Sequence, residues 1–70
     1  MTVEALLKQL KNECAGYHED ALVYSANATY HRNSGDYMMW LAYEKKRVDS
    51  LDKANDVRKV IHAIEKRVSK

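Results

Sequence analysis

The chain has no proline and no phenylalanine, and only one cysteine and two glycines among 70 residues. Proline is the residue that removes a backbone donor and clashes with the preceding turn, so without it no covalent feature forbids long uninterrupted helices. A lone cysteine, Cys14, excludes an intramolecular disulfide. Nor do cysteine and histidine occur at the spacing of a four-ligand zinc site; the nearest approach is Cys14 with His18, two ligands one turn apart. At this length a single core supplies roughly 3–5 kcal/mol, and small chains without a disulfide or metal commonly gain the rest by self-association. Self-association is therefore expected.

Long hydrophobic runs are also missing. The longest is 37-YMMWLAY-43, far short of the roughly 20 residues that span a bilayer. The opening stretch MTVEALLKQLKNE places acids among its leucines, unlike a secretory leader. A cytoplasmic protein with no membrane association is the expectation, and in that setting the glycosylation-like triplet at Asn27 carries no meaning. No nucleophile elbow, Ser/His/Asp arrangement or phosphate-cradling glycine loop occurs. The adjacent acids Glu19 and Asp20 would point apart on a helix. The composition thus points away from an enzyme and implies no cofactor.

What is present is helix-forming. Hydrophobic residues make up 46% and charged residues 31%, which separates the chain from disordered sequences of high net charge. Its helix-favouring alanine, leucine, glutamate, lysine and arginine then set the expected class as all-α. The net charge of +2 comes from a basic second half. There Lys45, Lys46, Arg47, Lys53, Arg58, Lys59, Lys66 and Arg67 alternate with Glu44, Asp49, Asp52, Asp56 and Glu65. Alternating signs of that kind mark a solvated helix face more than a nucleic-acid stripe.

Two apolar ladders organise the chain. Thr2 is a plausible N-cap, with Glu4 in the first turn. From there Val3, Leu7, Leu10, Cys14, Tyr17, Ala21, Tyr24, Ala28 and His31 recur at alternating spacings of four and three. The turn cluster 33-NSGD-36 follows, with Ser34 or Asp36 available as a cap. A second ladder runs through Trp40, Tyr43, Arg47, Ser50, Ala54, Val57, Ile61, Ile64 and Val68. Folding the chain at Gly35-Asp36 sets large residues opposite small ones: Tyr17 against Ala54, Ala28 against Tyr43, and small against small only at Ala21 and Ser50. In the same register Tyr24 faces Arg47 and His31 faces Trp40, polar groups that need partners if buried, a cation–π contact among them.

The expected fold is a long antiparallel helical hairpin: helix about 3–33, turn about 33–36, helix about 37–68, forming one domain. Gly16 and the cap-like Asp49-Ser50 are the two points where an arm would break into shorter helices. Off the ladders lie Leu6, Val23 and Tyr30 on the first arm and Tyr37, Leu41, Val48 and Leu51 on the second. The folding register pairs Tyr30 with Leu41 and Val23 with Val48, a second seam that a lone hairpin leaves wet. Two hairpins joined through Val23, Tyr30, Leu41, Val48 and Leu51 make a dimeric four-helix bundle.

The aromatic residues crowd the bend while leucine, isoleucine and valine fill the terminal end. Tyr30, Arg32, Tyr37, Trp40, Tyr43 and Arg47 are the candidate partner-binding residues, because each joins apolar area to a polar handle. The functional expectation is a small adaptor, regulator or inhibitor that binds another macromolecule, of the kind carried by compact phage or mobile-element genes. Two alternatives come from the same residues. One is nucleotide or nucleic-acid binding by ring stacking, and the other is a purely structural oligomer.

Overall fold

The structure, a computed structural model, describes residues 2–68. It contains two helices, α1 (Val3–Asn33) and α2 (Tyr37–Val68), packed antiparallel along their length. The hairpin is a rod of 53 × 15 × 14 Å, matching about 1.5 Å of rise per residue.

Each end of α1 is capped. Thr2 is extended, and its hydroxyl accepts from the Ala5 amide at 3.1 Å, satisfying one of the orphan donors of the first turn. At the other end the Asp36 amide donates to the His31 carbonyl at 2.9 Å, and the Gly35 amide to Arg32 at 3.1 Å. Those two bonds are the Schellman pattern, which requires a left-handed residue between them. Gly35 supplies it with φ of 81°, a conformation that costs a residue bearing a Cβ about 1–2 kcal/mol. Asp36 then starts α2: its carboxylate accepts from the Met39 amide at 3.2 Å and its carbonyl from Trp40 at 3.0 Å. Of the two candidate caps, Asp36 therefore serves α2. Ser34 turns back instead, donating its hydroxyl to the Tyr30 carbonyl at 3.0 Å.

Neither expected break occurs. α1 runs straight through Gly16, where a Cβ would meet no atom within 4 Å. α2 runs through Asp49-Ser50, and Ser50 is buried at the helix interface instead of starting a helix. Local cap propensity at residue 50 is overridden because the ladder needs a small side chain there, opposite Ala21.

Among the described residues five are buried, Ala21, Ala28, Ser50, Ala54 and Ile61, and all lie on the two ladders. Four are small, and that follows from geometry: two helices alone cover completely only what sits on the line between their axes. The larger ladder residues from Leu7 to His31 and from Trp40 to Ile64 are half-buried. Across the seam the Cys14 thiol donates to the Ala54 carbonyl at 3.5 Å, about one turn from Tyr17, the residue that the folding register sets against Ala54. Near the open end Lys11 and Glu65 form an ion pair at 3.4 Å across the arms. Both are well exposed, so its stabilisation is slight. The chain exposes 5526 Å², where a compact fold of its 8.1 kDa mass would expose about 4,500 Å². No helix among the described residues is long and apolar enough to cross a membrane.

Candidate binding surface at the helical bend

The bend is built from a row of rings. Tyr43 on α2 lies parallel to His31 on α1, centroids 5.5 Å apart with planes 8° from parallel. Tyr43 also meets Tyr24, centroids 6.2 Å apart with planes tilted by 35°. His31 in turn receives Tyr30 edge-on at 5.3 Å. Four rings from two helices thus make contact from the outer surface to the seam, each pair within the range where aromatic geometry adds to simple burial. The ammonium of Lys46 sits 5.2 Å from the Tyr43 ring and 5.9 Å from Tyr24, a cation–π arrangement.

That cation is not the one the register suggests. Arg47 does not pair with Tyr24; it bonds Glu44 one turn back, at 2.8 Å through Nη2 and 3.3 Å through Nε. The bond and the carboxylate charge raise the Arg47 guanidinium further above its ordinary value. Likewise His31 stacks on Tyr43 instead of resting on Trp40. The physical reason is that side chains lean along their helix, so ring contacts fall about one turn from the positions directly opposite.

The six candidate residues divide into two groups. Trp40, Tyr43 and Arg47 are half-buried and belong to the seam. Tyr30, Arg32 and Tyr37 are exposed, with 67% exposure for each tyrosine. Met38 and Met39 extend that outer group, Met38 being 80% exposed. Cys14 faces inwards to Ala54, while His18 lines a surface groove; among the described residues no cluster of His, Cys, Asp and Glu is arranged to hold a metal.

The residues expected to form one second seam do not share a face. Val23 and Tyr30 each follow a buried alanine, Ala21 and Ala28, by two residues. At about 100° per residue that sets them on the back of α1. Leu51 meets a different residue of α1. It shares a groove with Arg47 and with His18, Ala21, Leu22 and Ser25 of the facing arm. Leu41 and Val48 line a separate hollow with Glu44, Lys45 and Asp49, all on α2. Val48 precedes the buried Ser50 by two residues, which sets it on the back of α2. Leu22, 72% exposed, is the member that ladder reading misses. Counting 100° steps from Ala21 finds it.

No family model, curated protein or solved structure matches the chain. The reading of this surface therefore rests on its own chemistry.

Proposed function

We propose that the chain is a self-associating binding module: a helical hairpin that pairs with a second copy as a four-helix assembly and presents its bend to another macromolecule. The observation that carries the second half of this reading is the outer group at one end of the rod. Tyr30 and Tyr37 are 67% exposed and Met38 80% exposed. Rings and thioethers give large contact area with adaptable packing, which is what interface anchors need. Arg32 adds a cation at the same end, able to take a carboxylate or phosphate in two parallel hydrogen bonds. Tyr43 acts behind these residues, stacking on His31 and meeting Tyr24 of the other arm, with Trp40 and Arg47 half-buried beside it. On this reading the protein works as an adaptor, regulator or inhibitor in place of a catalyst.

The cations of α2 give less support to nucleic-acid binding. Counting 100° steps, Lys45, Lys46, Lys53 and Lys59 share an arc of the helix with Asp49, Asp52 and Asp56, which dilutes any phosphate-binding stripe.

Trp40 is the only tryptophan and lies at the bend, so its fluorescence reports engagement of that end. Titration with a binding partner should change the Trp40 emission, and Tyr37→Ser with Met38→Ser should abolish the response while leaving helicity intact. Full retention of binding by a folded double variant would refute the bend as the contact surface. Affinity that falls steeply with salt would instead identify a polyanion as the partner.

A further inference from the structure

Resting on the bend as the contact surface, we infer that the partner contributes an acidic amphipathic helix, and that this helix docks along the outer face of α2 on Met38, Leu41, Lys45 and Val48. These four residues are spaced by three, four and three along α2, the spacing at which one helix presents a seam to another. Leu41 lies one heptad before Val48 on the back of α2, so the stripe faces away from α1. It is open to solvent: Met38 is 80% exposed, and Leu41 and Val48 are each 45% exposed. Leu41, Lys45 and Val48 line a hollow of about 390 Å³, room for the anchor side chains of a helix laid along it. The row then ends in Asp52 and Asn55, so its apolar part is three turns long.

Charge selects the partner. Within residues 24–47 the chain has four cations, Arg32, Lys45, Lys46 and Arg47, and two carboxylates, Asp36 and Glu44. Both carboxylates are engaged: Asp36 accepts from the Met39 amide, and Glu44 holds Arg47 at 2.8 Å. Lys45 has no ion-pair partner among the described residues. The rest of the described chain is close to balance, with seven cations against eight carboxylates. Surplus positive charge therefore gathers at the end of the rod where the apolar stripe is exposed, and a carboxylate opposite Lys45 complements it. Asp49, on the rim of the hollow, repels a carboxylate set beyond Val48 and so confines the acidic position to Lys45.

Other anions fit the stripe less well. A nucleic acid would leave Met38, Leu41 and Val48 without apolar contact. A lipid surface would have to admit the polar apex 33-NSGD-36 before it reached them.

Two synthetic helical peptides sharing a leucine stripe are the probes, one flanked by glutamate and the other by lysine. Fluorescence polarisation should show the glutamate peptide bound about tenfold more tightly than the lysine peptide. Lys45→Glu should remove that preference, and Leu41→Ser should weaken the glutamate peptide about tenfold. Lys66→Glu, the same charge change at the open end, should alter neither; circular dichroism checks the helicity of each variant. Equal affinity for the two peptides, equal losses from Lys45→Glu and Lys66→Glu, or no binding of the glutamate peptide would overturn the inference. Loss through Tyr37→Ser with Met38→Ser but not through Leu41→Ser would keep the bend as contact surface and overturn the docking face. Undiminished binding by all of these variants would overturn both. Tighter binding of an oligothymidylate would assign the stripe to nucleic acid, and a lower sedimentation mass for Leu41→Ser would assign it to a second copy; either result also overturns the inference.

Discussion

Replacing Gly16 by alanine should stabilise the protein. Gly16 lies in the interior of α1, which runs unbroken over Val3–Asn33. An added Cβ meets nothing within 4 Å, so the methyl group brings no clash. Its direction, about 200° from Cys14, also takes it away from α2 and from Leu22. What remains is the backbone: glycine in a helix interior costs about 0.8–1.0 kcal/mol relative to alanine, because it loses more freedom on ordering. In a domain of this size 1 kcal/mol corresponds to about 4–8 °C in melting temperature. Thermal denaturation followed by circular dichroism at fixed protein concentration should show a rise of that order for Gly16→Ala. The companion Gly16→Pro should lose about 3 kcal/mol or more, since it removes a helical hydrogen bond and clashes with the preceding turn. An unchanged or lower melting temperature for Gly16→Ala, or tolerance of Gly16→Pro, would refute a continuous α1 and restore the case for two shorter helices.

The second glycine should behave oppositely. At Gly35 the space is also open but φ is 81°, so Gly35→Ala should cost about 1–2 kcal/mol in urea denaturation. Ile61 and Val60 make a similar neighbouring pair on α2, one buried and one half-exposed. Ile61→Ala should lose about 2–4 kcal/mol and Val60→Ala about 0.5 kcal/mol or less. Equal losses at the two positions in denaturant titration would contradict the helix rotation described here.

The hairpin itself is legible in the ladders and turn residues. Heptad spacing encodes direction directly: Ala21, Ala28, Ser50, Ala54 and Ile61 are ladder positions, and all are buried. Gly35 and Asp36 likewise announce a left-handed residue and a cap, and each takes that role. Gly16 and Asp49-Ser50 mislead because propensity is a local quantity, whereas helix continuity is decided by packing along the whole arm. The off-ladder residues are harder to place, since summing residue numbers gives level along the rod but not the side of each helix. Val23 and Val48 share a level yet lie on the outer surfaces of different arms. Side-chain choices at the bend were least legible. Whether Arg47 reaches across to Tyr24 or back to Glu44 depends on rotamers and on a competing cation, Lys46, that can cover the rings in its place.

The proposed self-association rests on a hairpin that exposes 5526 Å², about 1,000 Å² more than a compact fold of its mass. Sedimentation equilibrium of the unmodified chain over a wide concentration range tests that most directly. A mass of twice 8.1 kDa, with a melting temperature that rises with protein concentration, is the predicted result. A single-chain mass at every concentration, with intact helices and a cooperative melt, would contradict it.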